Sequence, residues 1–113
     1  MTSYAGHSGH VVTKNGVELR LGPSLSLFNH SPTGFSWGYG GSGPAQLALA
    51  LLLDATRNRR RALEFYQRFK WDYVVHWGEE WVISRQQILR WLTAQQERAR
   101  VGVPTVQEPL DAP

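Results

Sequence analysis

The spacing of apolar residues divides the chain into two halves. Val11-Val12-Thr13-Lys14 and Val17-Glu18-Leu19-Arg20-Leu21 flank Asn15-Gly16. That dipeptide tolerates the positive φ angles of a two-residue hairpin turn, so the flanking runs are read as antiparallel strands. The register sets Lys14 opposite Val17 and Val12 opposite Leu19. Val12, Val17, Leu19 and Leu21 then share one face, and Glu18 and Arg20 point to the other. Leu25-Ser26-Leu27-Phe28 alternates, which predicts a third strand, and Phe35-Ser36-Trp37 fits a further short one. Asn29 to Gly34 is dense in turn formers. Nine of the 11 glycines fall within the first 43 residues, so this half is tightly turned.

The second half carries helical spacing. Pro44 suits a first helical position, and Ala45 to Leu53 is apolar almost all round. A helix without a polar stripe has to be surrounded, so this one is expected at the centre, with Leu47, Leu51 and Leu52 in the core. Ala62, Phe65, Tyr66 and Phe69 recur at i, i+3, i+4 and i+7, which predicts an amphipathic second helix. Phe69, Tyr73 and Trp77 fit its continuation through 71–77, with an extended segment as the alternative. Trp81-Val82-Ile83 suits a short strand. Ser84 and Gln87 form a capping box for a third helix, with Ile88, Leu89, Trp91 and Leu92 facing inward. The prediction is a single α+β domain over 1–100: a small antiparallel sheet from the N-terminal half packed on about three helices. Residues 101–113, with Pro104, Pro109 and Pro113, are expected to be a disordered tail.

Composition narrows the chemistry. At 113 residues and 42% hydrophobic the chain can build one core. It has no cysteine, which excludes a disulfide scaffold, a thiol nucleophile and cysteine-ligated metal. The N-terminus resembles neither a signal nor a transit peptide, and the longest apolar run falls short of the ~20 residues that span a bilayer. A cytoplasmic protein without membrane association is expected. Residues 57–70 hold Arg57, Arg59, Arg60, Arg61, Arg68 and Lys70 against Glu64 alone, so positive charge gathers on the helical half. Such a face suits an anionic partner, whether nucleic acid, a nucleotide or an acidic protein surface; the alternative is a solvated helix face.

Gly38-Tyr39-Gly40-Gly41-Ser42-Gly43 has the G-x-G-x-x-G spacing and precedes a helix. Backbone N–H groups of Gly40, Gly41, Ser42 and Gly43 could there hold an anion at the helix N-terminus. A dinucleotide fold is not expected, because a second helix follows and Asp54 comes too early. Pro44 removes one N–H, and no lysine follows the glycines, so a sharp structural turn is the preferred reading. Arg59, Arg60, Arg61, Arg85 and Arg90 are candidates for a nucleic-acid or partner surface, with Arg60, Glu64 and Arg68 partly self-neutralised at i, i+4. Trp37, Trp71 and Trp91 are assigned to the core. Trp77 and Trp81, flanking Gly78-Glu79-Glu80, are taken as partly exposed, the composition of a binding hot spot beside arginine. His7 and His10 lack a third ligand, His30 and Ser31 point to opposite faces, and no carboxylate pair is placed for acid–base work. No metal, cofactor or catalytic residue is assigned.

The run from Phe28 to Ala50, with its N-H-S-P-T-G-F-x-W-G-Y-G-G-S-G-P-A-Q-L-A-L-A signature, resembles a bacterial domain-of-unknown-function family. The likeness extends from about Tyr4 to Leu92. Its members look like small stand-alone proteins, some carried by plasmids and phages, which implies an accessory or anti-defence role by analogy. Two function classes stay open. One is a non-enzymatic module that binds an anionic ligand or nucleic acid; the other is an inhibitor of a host protein complex, of the anti-CRISPR type. An enzyme is the third and least favoured.

Overall fold

An apolar helix offers water no face, and the arrangement of every other element follows from covering it. The computed structural model describes residues 1–100; the tail expected over 101–113 lies outside the described residues. The chain forms strands β1 (Ser3–His7), β2 (Val11–Lys14) and β3 (Val17–Glu18), then helices α1 (Gly22–Leu27), α2 (Ser42–Thr56) and α3 (Arg59–Asp72). A 3-10 turn over Val74–His76 leads to strand β4 (Trp81–Ser84) and helix α4 (Arg85–Arg100). The fold is α+β, as the apolar pattern predicts. α2 is buried from Gly43 to Leu52 and again at Ala55. Helices α1, α3 and α4 all pack on it, and the sheet adds Tyr4, Val12, Trp81 and Ile83 to the same core.

The sheet is antiparallel in the order β3-β2-β1-β4. Its hairpin has the expected register, with Lys14 opposite Val17 and the Leu19 N–H donating to the Val12 carbonyl at 2.8 Å. Asn15 and Gly16 take φ of 51° and 83°. Strand β1 carries no apolar alternation strong enough to announce it, because its second inward position is Gly6. That glycine lies opposite both Val12 and Trp81, and the Trp81 indole fills the space its side chain leaves. A Cβ on Gly6 would stand 2.0 Å from the indole nitrogen. Three strands come from the N-terminal half, and β4 joins them after α3.

Several expectations are corrected. Leu25 to Phe28 is not a strand, since Gly22 to Leu27 forms α1. Pro23 opens that helix, and the Ser24 hydroxyl bonds back to the Leu21 carbonyl at 3.0 Å. Proline ends a strand and starts a helix equally well, so Gly22-Pro23 did not discriminate. Phe35 to Trp37 pairs with no strand; the Trp37 indole instead donates to the Gly78 carbonyl at 2.7 Å. α3 stops at Asp72 instead of running through 71–77. The Gly38 N–H takes the Val74 carbonyl at 3.0 Å, and Val74 and Val75 are β-branched, so helix is disfavoured there. Trp71 is 55% exposed rather than core, whereas Trp81 is 6% exposed. Trp77 stacks on Trp81 at 4.0 Å between ring centroids, and Trp37 meets Trp81 edge-on at 5.5 Å.

Gly6→Ala is expected to destabilise by roughly 1–3 kcal/mol through overpacking against Trp81. Leu51→Ala in α2 should cost about 2–5 kcal/mol by leaving a cavity. Urea denaturation measures both.

Candidate functional site

The glycine loop lies at the N-terminal end of α2, and packing accounts for most of its glycines. A Cβ on Gly40 would stand 2.6 Å from the Trp71 ring, and one on Gly43 2.6 Å from Ser36 Cβ. A Cβ on Gly41 would stand 2.4 Å from the Tyr39 ring, and Gly38 takes φ +88°. Ser42 is exposed and begins α2, whose preceding residue, Gly41, supplies no side-chain cap. A hollow of about 380 Å³ fronts this end, lined by His10, Ser31, Thr33, Ser36, Tyr39 and Ser42 among others. No lysine, arginine or carboxylate lines it.

A buried polar network fixes the loop that precedes these glycines. Gln46, wholly buried on α2, accepts from the backbone N–H groups of His30 at 2.7 Å and Ser31 at 3.0 Å. Its amide donates to Ser24 Oγ at 2.9 Å, so one side chain ties the loop and α1 to α2. His30 Nε2 meets the Tyr66 hydroxyl at 2.7 Å. Desolvation, with the Lys70 charge adding to it, holds the His30 imidazole below its usual range. The arrangement is structural: the Gln46 oxygen holds loop backbone in place and its nitrogen holds Ser24 of α1.

The candidate arginines lie elsewhere and do not form one surface with the tryptophans. Arg57 follows the last residue of α2 and Arg59 opens α3, so these cations sit at the end of α2 opposite the glycine loop. Fifteen helical residues put about 22 Å between the two ends. Arg85 Nε donates to the Ala55 carbonyl at 2.7 Å, which caps α2 and complements its negative end. Arg61 donates to Gln96 Oε1 at 2.8 Å and so joins α3 to α4. Arg59, Arg60 and Arg90 are exposed. Trp77 and Trp81 are spent on each other in the indole stack.

The basic end holds a feature that the sequence reading passed over. Val17 stands on the edge strand β3, paired with the inward-facing Lys14, and remains 71% exposed. The space beneath is a cleft of about 420 Å³ walled by Val17, Leu19, Pro23, Ala50 and Leu53. Lys14, Glu18, Arg20, Asp54 and Arg57 also line it. Asp54 accepts from the buried Tyr4 hydroxyl at 2.6 Å and pairs with Lys14 Nζ at 3.0 Å. Burial first, then the bonded Asp54 carboxylate, raise Tyr4 far above the usual phenol range, so it remains a donor. Arg57 takes left-handed angles, φ 54° and ψ 33°, at a position where helices favour glycine. The sequence signal was Asp54, the lone charge in an otherwise uncharged helix. Among the described residues no three His, Asp or Glu side chains are grouped to hold a metal, and no helix is long and apolar enough to cross a membrane.

Two substitution sets separate structural from binding roles. Gly40→Ala and Gly43→Ala should each lower stability by roughly 1–3 kcal/mol, while Ser42→Ala stays within ~0.5 kcal/mol. Arg57→Gly should stabilise by about 1 kcal/mol, because glycine takes left-handed angles without penalty. Thermal and urea unfolding measure each change.

No curated protein and no solved structure was found to match the chain. A family model does match, over residues 4–94, from the first inward side chain of β1 to the middle of α4. The chain belongs to that family, described as a family of unknown function, DUF6166.

Proposed function

We propose that this protein is a non-enzymatic binding module that holds an anionic ligand at the basic end of the molecule, in the cleft between the hairpin, α1 and α2. The carrying observation is Arg57, kept in a left-handed conformation at the cleft although glycine is favoured there. Strained backbone positions of this kind cluster at ligand-binding sites. Arg20 lines the same cleft, and among the described residues neither guanidinium has an ion-pair partner. Lys14, by contrast, is already engaged by Asp54. The glycine loop is the weaker candidate, since its hollow lacks a cation and its glycines are filled by Trp71, Tyr39 and Ser36. A nucleic-acid surface is weaker too, with Arg61 and Arg85 committed to Gln96 and the Ala55 carbonyl.

A second reading, an inhibitor that docks on a host protein complex, draws on one other observation. Phe28, Tyr39 and Trp71 are each more than half exposed. They lie along a continuous line: Phe28 stacks on His30, His30 meets Tyr66, Lys70 lies over Trp71, and Trp71 covers Gly40. Aromatic rings beside a cation are the composition of a protein-binding hot spot. Nuclease-resistant capture of one complex, lost with Trp71→Ala, would support this reading over the first.

The primary test is calorimetric titration of the full chain, at low salt, with inorganic phosphate, a nucleoside monophosphate, octanoate and a short single-stranded DNA. At least one anion is expected to bind, and Arg57→Gly to weaken it by about tenfold, the worth of one charge-assisted bond. Binding of none of the four, or binding indifferent to Arg57→Gly, overturns the proposal.

A further inference from the structure

The cleft is built from surfaces of two kinds, and together they define a ligand class. Its walls are the hydrocarbon of Val17, Leu19, Pro23, Ala50 and Leu53, contributed by the hairpin, α1 and α2. Val17 and Leu19 stand on the inward face of the sheet, the face that elsewhere meets the core through Tyr4, Val12 and Ile83. Here, on the edge strand beside α2, apolar surface that the fold points inward meets water instead. Along the lining stand three cations, Lys14, Arg20 and Arg57, against two carboxylates, Glu18 and Asp54, an excess of one positive charge. Asp54 is saturated by Tyr4 and Lys14, so it is held back from an incoming anion.

We infer that the cleft binds an amphipathic monoanion: a small molecule with a hydrocarbon body against the Leu53 and Val17 walls and a single carboxylate at Arg57 and Arg20. This rests on the binding-module reading and narrows it. A strongly hydrated polyanion, such as inorganic phosphate or a nucleotide triphosphate, would have to shed more water against apolar walls than Arg20 and Arg57 can replace with hydrogen bonds. One excess positive charge matches one carboxylate. An uncharged hydrocarbon would fill the walls yet leave Arg57 in its disfavoured conformation unused.

The test titrates the full chain calorimetrically with butanoate, hexanoate, octanoate and octanol, below their aggregation limits, with inorganic phosphate alongside. Affinity should rise about fourfold per added methylene as hydrocarbon leaves water. Octanoate should bind about tenfold tighter than octanol. Arg57→Gly, which relieves the left-handed strain and so keeps the fold, should erase the octanoate preference and leave octanol binding intact. Leu53→Gln, at a half-buried wall position, should flatten the chain-length dependence. Equal affinity for octanoate and octanol overturns the inference. So does phosphate binding without octanoate binding, which leaves the broader anion-binding reading standing. Silence from every probe overturns the inference, and silence from the nucleoside monophosphate and single-stranded DNA as well removes both. Sedimentation showing a dimer that Val17→Asp dissociates would mean a second copy covers these walls, and would also overturn it.

Discussion

Burying α2 on every side is the constraint from which the rest of the architecture follows. A helix that is apolar around its whole circumference, and 15 residues long, cannot lie on a surface. It therefore takes a sheet on one side and three helices on the others, and a chain this size has just enough of both. Its buried Gln46 and its partly exposed Asp54 are both engaged by partners. Gln46 spends its amide on the backbone of His30 and Ser31 and on Ser24, and Asp54 joins Tyr4 to Lys14. A buried polar group left unpaired costs several times what a paired one contributes. These two side chains thus fix which loop and which strands lie against the helix, as well as how tightly they pack.

What was legible in the sequence was whatever the local pattern alone decides. Asn15-Gly16 set the hairpin and its register, the unbroken apolar run of α2 announced its centrality, and Ser84 with Gln87 marked the start of α4, where both capping bonds form. What was hidden depends on partners distant in the chain. Strand β1 is invisible because Gly6 leaves its place to Trp81, 75 residues on. The 3-10 turn that follows α3 is held by Gly38, whose N–H donates to the Val74 carbonyl. Exposure of the tryptophans followed the same logic: Trp71 lies outward over Gly40, while Trp81 lies inward over Gly6. Neither is decided by neighbours in sequence.

The candidate site was legible only in pieces. The glycines and the arginines both stand out in the sequence, and both find uses in the structure that are largely architectural. The cleft arises instead at the edge of the sheet, where β3 lies beside α2 and keeps its apolar side chains open to water. Periodicity predicts which residues share a face, and Val12, Val17 and Leu19 do so. It does not predict how far across the sheet the opposing helix reaches, and on the edge strand Val17 stays bare while Val12, one strand further in, is enclosed.

The pairing of β1 with β4 has a consequence for the order in which the molecule assembles. Ser3 lies opposite Ser84, so the central strand of the sheet waits for a partner more than 80 positions downstream. Closing so long a loop carries an entropic penalty that local contacts do not face, and it slows folding. During synthesis, which delivers about 5–20 residues per second, the N-terminal hairpin and α2 exist for some seconds before β4 leaves the ribosome. Over that interval one edge of β1 is unpaired and Gly6 has no indole over it. Until β4 arrives that edge is open to any strand, and its arrival both pairs the edge and seats the Trp81 indole over Gly6.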